Sequence, residues 1–394
     1  MTARPVRATT PRPVEADASG SLPRPDQVLL LRAALLDDEP ARAAWREWRS
    51  AVDLDAVDAA SFRVLPLAWH NLQGSGVDDP GLERCRGIYR HTWSKNQLVL
   101  HRTAPALEAL RAAGIPLLVL KGAALAHLVY PTPGTRPMND VDVLVPACRA
   151  AEARAILEGA GWRPTLELPA SAVPFLHALG YSDGAGAEID LHWRALWEAR
   201  PGAEDPFWAH ARPLRLAGID MSTLSPTDHL FHVAVHGLRW SEVPPIHWVA
   251  DAGRILHSAP VDWDRLVALA RRARLSLQLG EALEVLRDAI GLPIPDGAVD
   301  RLRALPSTAG ERLEMWALGK PPSLTRGLWL HWCNHRRKSP GAGLGRRLRS
   351  FPVYLQAMWG IGNVWALPAE ALGRAASRLR PGSGRSGSGL RAGL

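Results

Sequence analysis

Two aspartates separated by one residue stand in the run Arg136-Pro-Met-Asn-Asp140-Val-Asp142-Val-Leu-Val145. On a strand, positions i and i+2 project from the same face, so both carboxylates can converge on one or two divalent cations. A third carboxylate is available at Asp190, in Glu188-Ile-Asp190-Leu-His192-Trp193. Aspartates on neighbouring strands are what two-metal phosphoryl transfer needs: hard oxygen ligands that clamp Mg²⁺ to a triphosphate and activate an attacking hydroxyl. Asp190 is then the candidate base. The competing reading of such a pair is a solvated strand edge or a turn. Beside the apolar Val-Leu-Val run, however, carboxylates cost stability unless they are solvated, paired or metal-bound.

Lys121-Gly122 adds a cation at an apparent strand-to-helix junction, where helix N-terminal N–H groups and a glycine favour an anion. The alternative is a surface lysine whose stem snorkels beside a strand-ending glycine. The chain's lysines are Lys95, Lys121, Lys320 and Lys338 alone, so composition does not account for one at this junction. Arg136 could neutralise phosphate oxygens or form a structural salt bridge with one of the aspartates. His192 shares the strand face of Asp190, placed either to touch substrate or to pack, whereas Trp193 alternates to the other face and reads as core. His229, His232 and His236 fall at i, i+3 and i+7 of a predicted helix. That spacing can bind a metal, but no acidic or cysteine partner is fixed by sequence, which favours packing or acceptor contacts. Asp251, also on a predicted helix, is a cap partner or a substrate contact.

The elements that must position these groups follow from periodicity and breakers. Val28, Leu31 and Leu35 open a helical pattern that runs to Gly114, with a long helix over Leu82 to Ala113. At Ile115 the period changes. Ile115 to Leu120 suits a buried strand, Ala123 to Tyr130 a short helix, and Pro131 to Thr135 a loop. Alternation around Val141, Val143 and Val145 predicts a second strand, Ala150 to Gly159 a helix, and Ala187 to Trp193 a third strand. Helices are predicted again at Thr227 to Leu238, Ile246 to Leu256, Trp263 to Ala273 and Leu277 to Ile290. Beyond Pro295 the pattern weakens.

Taken together, Leu120-Lys121-Gly122-Ala-Ala-Leu125, Tyr130-Pro131, Arg136-Pro-x-x-Asp140-Val-Asp142-Val-Leu-Val145 and Ile189-Asp190-Leu-His192-Trp193 resemble the bacterial family of largely uncharacterised nucleotidyltransferases of the polymerase-β-like superfamily. Trp248-Val-Ala-Asp251-Ala-Gly-Arg-Ile-Leu256 extends the resemblance, which covers roughly residues 80–275. It implies an α+β fold: a small mixed-sheet palm flanked by N-terminal and C-terminal helical regions. It implies that Asp140, Asp142 and Asp190 hold Mg²⁺ or Mn²⁺ and are catalytic, with Lys121, Gly122, Arg136 and His192 at the nucleotide. The implied reaction moves an NMP from ATP or another NTP to an acceptor hydroxyl or other nucleophile and releases pyrophosphate. The wider superfamily's Gly-Ser ahead of the carboxylates is here Lys121-Gly122, so the serine's phosphate contact is missing. The same order of Lys-Gly, Arg and paired Asp also resembles abortive-infection-type toxin nucleotidyltransferases that modify RNA. A non-catalytic nucleotide- or partner-binding module is the other alternative.

On this reading residues 1–24 form a disordered leader, 25–113 a helical cap, 114–224 the palm, 225–300 a helical domain, 301–380 a helical basic extension and 381–394 a disordered tail. With 394 residues and 47% hydrophobic content, the chain can bury a large core. Its net charge of +8 is uneven: residues 326–394 hold 12 Lys/Arg against the single acid Glu370, leaving a body of −3. Charge therefore argues against nucleic-acid binding by the whole chain and assigns the basic character to a tail. Cys85, Cys148 and Cys333 are far apart and form no CxxC pair, so neither a zinc ribbon nor a disulfide framework is supported. The leader lacks the apolar run of a secretory signal, so a cytoplasmic location is expected. The uncharged run from Phe351 to Ala369 contains Pro352, Gln356, Asn363 and Pro368, against the ~20 mainly apolar residues of a spanning helix. Peripheral contact with the inner membrane face, through Trp359, Trp365 and the arginines, is one reading of it; binding a polyanionic acceptor or plain docking are the others. The expected partners are an NTP and a small-molecule, peptide or glycan acceptor, with RNA as an alternative.

Overall fold

The computed structural model describes residues 20–167 and 169–378, the last four of these by backbone alone. The expectations for residues 1–19 and 379–394 lie outside the described residues.

The chemistry-bearing strands sit inside a seven-stranded mixed sheet. In chain order its strands are β1 (Leu118–Val119), β2 (Asp140–Leu144), β3 (Arg163–Pro164), β4 (Ala178–Ser182), β5 (Glu188–His192), β6 (Arg212–Leu216) and β7 (Ile219–Thr223). In space they run β3-β4-β5-β2-β1-β7-β6. β2 pairs parallel with β5 and antiparallel with β1, while β1 pairs parallel with β7. A parallel neighbour requires a long crossover. Between β2 and β5 that crossover holds the Ala150–Gly159 helix, β3 and β4.

Alternation along β2 distributes its side chains between two cores. Val141 and Val143 enter a core with Ile189 and Leu191 of β5, Val99 and Leu107 of the Gly81–Ala112 helix, and Leu157. Leu144 points the other way, into a larger core built from the Pro25–Leu35 and Asp38–Ala51 helices together with those at Pro226–Gly237, His247–Ser258 and Trp263–Ala273. N-terminal helices and the helices after Ser225 thus share one layer on one face of the sheet. Because Asp140 and Asp142 alternate in phase with Leu144, they belong to that face.

Seven strands are present where the sequence predicts three. β4 contains Gly180 and no β-branched residue, β6 contains Pro213, and β3 is two residues long, so none carries a strand pattern. β6 and β7 form a hairpin across Ala217 and Gly218, both at positive φ (49° and 81°). The helix after β1 begins at Lys121 and runs to Leu128. Beyond Pro295 the chain forms helices at Asp296–Ala304, Ala309–Leu318, Leu324–Lys338, Leu344–Met358 and Leu367–Arg378. Tyr354, Leu355 and Met358 reach the palm-side core, so much of the basic segment is part of the folded body. Among the described residues, no helix is long and apolar enough to cross a membrane.

Candidate active site

The parallel register sets Asp142 directly opposite Asp190 and Leu144 opposite His192. As a result one ligand atom each from Asp142, Asp190 and His192 lies within 4.8 Å of the others. Lys121 Nζ donates to Asp142 Oδ1 at 2.9 Å, and His192 Nε2 lies 3.0 Å from the same oxygen. Asp142 is 4% exposed. Burial alone would raise its carboxyl; the charge of Lys121 and the contacts with His192 and Lys121 outweigh burial and hold it well below the usual range. Asp190 goes the other way. Burial, then the charges of Asp142 and Asp140, push it up to about 6. Two opposed carboxylates with their proton affinities driven apart form a centre with surplus negative charge.

Lys121 owes its reach to an unusual backbone. Its φ is +39°, a left-handed conformation that costs energy in a residue with a side chain. The lysine turns back onto β2 at the start of its helix, while Leu120 N–H donates to the Asp142 carbonyl at 2.9 Å. At Gly122 an added Cβ would meet Met138 Cβ at 3.5 Å and Arg136 Nη1 at 3.8 Å, which is ordinary contact. Packing within the chain therefore does not demand that glycine.

Asp140 lies one pleat before Asp142, half-buried at the start of β2. It stands outside the 4.8 Å group, yet its charge is felt by both Asp190 and Arg136. Arg136 is buried, and its Nε and Nη2 donate to the two oxygens of Asp251 at 2.7 and 2.8 Å, with Nη1 on the Pro137 carbonyl at 2.6 Å. Tyr130 Oη donates to Asp251 Oδ1 at 2.7 Å. Arg136 thus forms a structural salt bridge, but with Asp251 and not with one of the paired aspartates that the sequence offered. This pair ties the loop ahead of β2 to the His247–Ser258 helix.

The histidine triad of the Pro226–Gly237 helix does not assemble on one ion. His229 Nε2 faces Thr223 Oγ1 at 3.0 Å, His232 Nε2 faces the Ala195 carbonyl at 3.0 Å, and the His236 ring stacks on His232 with centroids 5.9 Å apart. Other participants carry no sequence signal of this chemistry. His177, next to β4, sets its ring 5.7 Å from that of His192. Gly180 pairs with Asp190, and a Cβ there would stand 3.0 Å from Asp190 Oδ1. A glycine in a strand often marks close approach, and this one admits the carboxylate. Buried Asn96 of the Gly81–Ala112 helix donates to the Pro133 and Arg136 carbonyls at 2.7 and 2.9 Å and accepts from Met138 N–H at 3.3 Å, fixing the approach to β2.

With this geometry in view, comparisons with known proteins are informative. Residues 50–291 match the model of a family described as uncharacterised nucleotidyltransferase, and the chain belongs to that family. A solution structure of the antibiotic-resistance factor ANT(2'')-Ia is similar at 21% identity, covering 47% of this chain and 94% of that one, with a TM-score of 0.32. A crystal structure of ANT(2'')-Ia in complex with adenylyl-2''-tobramycin shows 20% identity, covering 44% and 96% respectively, with a TM-score of 0.31. No curated protein matches the chain.

Proposed function

We propose that the protein transfers an NMP from an NTP to an acceptor hydroxyl or other nucleophile and that the reaction depends on Mg²⁺ or Mn²⁺. The observation that carries this reading is the parallel β2–β5 register, which sets Asp142 against Asp190 on a buried face. Their hard oxygen donors fit such a cation. So does the state of Asp190, raised by burial and then by repulsion from Asp142 and Asp140, since a divalent ion would relieve that repulsion. Asp142, Asp190 and, one pleat away, Asp140 would hold it, with His192 fixing the orientation of Asp142. When bound, the cation supplies charge neutralisation for a triphosphate and for its leaving group.

The chain's own residues supply the rest. Lys121 is the mobile countercharge: paired with Asp142 in this structure, it is positioned to turn to a phosphate oxygen once that carboxylate is otherwise neutralised. Gly122, buried but free of packing demands, carries no side chain that would hold a phosphate away from the helix N-terminus. Arg136, locked by Asp251, contributes positive charge behind Asp140. Asp190 accepts the acceptor's proton as the acceptor oxygen bonds to the α-phosphorus and the bond from that phosphorus to the bridging oxygen breaks, releasing pyrophosphate.

Calorimetry with Mg²⁺ or Mn²⁺ tests the assignment. NTP binding is expected to require the metal and to be lost in Asp142→Ala and in the isosteric Asp142→Asn. Equal binding by wild type and both variants would show that the metal site is wrongly placed.

A further inference from the structure

A second charged cluster stands behind the carboxylates. The segment leaving β5 carries Arg194, Glu198 and Glu204; Arg239 follows the Pro226–Gly237 helix, and Arg337 and Lys338 end the Leu324–Lys338 helix. Lys338 feels the charges of Arg194, Glu204, Arg337 and Glu198. Two ion pairs close within the group. Arg239 Nη2 donates to both oxygens of Glu198 at 2.7 and 2.9 Å, and Arg337 pairs with Glu314. Arg194, Lys338 and Glu204 are left over, a net positive remainder.

Several donors here are buried without a partner. Among the described residues, Lys338 Nζ, Arg337 Nη1, Arg194 Nε and Arg239 Nε are shielded from solvent and make no hydrogen bond. The side chain of Arg337 is 12% exposed. Buried polar groups are normally bonded because stranded donors cost stability, and a set of cationic donors is what an oxyanion satisfies. Glu204 Oε2 is likewise buried without a hydrogen bond, and burial pushes that carboxyl up, so the one acid left over does not answer the donors.

The cluster connects in two directions. Inward, His177 feels Arg239 and Lys338 as well as Lys121, and its ring lies 5.7 Å from His192, the neighbour of Asp142. Outward, exposed Arg200 feels Arg274, Arg337 and Arg336, with Glu311 opposing them. Charged side chains, the basic ones outnumbering the acidic, thus run from the surface to the back of the carboxylate centre. It enters from the far end of β5, whereas Lys121 enters from β1, on the opposite flank of β2.

We propose that this cluster receives an oxyanion, a phosphate or carboxylate carried by the acceptor, so that the protein modifies an anionic acceptor. The assignment rests on the nucleotidyl-transfer reading of the neighbouring carboxylates. Lys338 and Arg337 are the anchors that bind the anion, and the β5 flank is the acceptor's side of the centre.

Inorganic phosphate is the probe, titrated by calorimetry. Wild type is expected to bind phosphate, and to go on binding it when Mg²⁺ and a non-hydrolysable NTP analogue are saturating. Lys338→Gln should weaken phosphate by about tenfold or more, and Lys338→Arg should retain most of it. Thermal melts establish that both variants fold. Absence of phosphate binding, or equal affinity in wild type and Lys338→Gln, would overturn the oxyanion site. Displacement of phosphate by the analogue, or equal weakening of analogue and phosphate by Lys338→Gln, would assign the cluster to the triphosphate and overturn the acceptor role. Phosphate binding in a protein that binds no analogue would overturn the nucleotide reading instead, leaving an oxyanion site with no acceptor role.

Discussion

At Asp142 a single carboxylate oxygen meets both Lys121 and His192, so whatever shifts the opposing Asp190 changes the balance of the centre. Gly180 is the residue best placed to do this. Its missing Cβ leaves room for Asp190 Oδ1 and for the Thr165 hydroxyl, which would stand 2.6 Å from an added Cβ. Gly180→Val is expected to weaken Mn²⁺ binding by about 10–100-fold, as loss of a ligand's supporting contacts does, while the protein stays folded. Titration calorimetry beside a circular dichroism melt checks both halves. At this scale the sequence is informative where spacing along one strand fixes a face: Asp140 with Asp142, and Asp190 with His192. It points to the wrong partner for Arg136, one of the nearby paired aspartates, because Asp251 lies 115 residues away and no local rule relates the two. It is silent too on His177 and Gly180, whose strand carries no alternation to reveal it.

Among the elements, the 133–138 segment depends on the Gly81–Ala112 helix through Asn96, which is 1% exposed. Asn96→Leu keeps the bulk but strands buried backbone groups, and is expected to cost about 3–5 kcal/mol. Urea unfolding should show the midpoint lowered with the slope unchanged. The end of the Leu324–Lys338 helix offers a pH test. Burial first, with Arg194 and Arg337 adding repulsion against the attraction of Glu204 and Glu198, lowers Lys338 to about 7 from the usual 10.5. Between those values the unfolded chain holds a proton that the folded chain does not, so stability from this group rises with pH across that window and its penalty is fully expressed below it. In phosphate-free buffer, wild type should gain in melting temperature relative to Lys338→Met between pH 7 and 10. Helices with an apolar stripe were legible from the chain alone, including Trp263–Ala273, whose limits agree with the sequence expectation. Short strands such as β3 and β6 were not, because their pairing partners, rather than their own residues, make them strands.

For the whole molecule, the sheet divides two apolar cores, and polar contacts tie the segment ahead of β2 to the helical layer. Arg136 with Asp251 is one of them, and Arg254 Nη2, donating to the Val129 carbonyl at 3.0 Å, is another. Asp251→Ala would leave a buried guanidinium uncompensated, at a cost of about 3–5 kcal/mol. Denaturant titration measures that loss, and Tyr130→Phe, which keeps the ion pair, should lose much less. The net charge of +8 suggested a tail apart from the body. Yet Arg337 and Lys338 lie within the folded body, a role that composition cannot foretell. The meeting of Asp142 with Asp190 has a kinetic consequence as well. The two are 48 positions apart, and the chain between them holds the crossover helix, β3 and β4. Such a non-local contact between like charges opposes the closure of the sheet. An ion bound there, as proposed, would have no counterpart site in the open chain and would act as a latch on the finished fold, stabilising it by an amount that grows with the ratio of its concentration to its Kd.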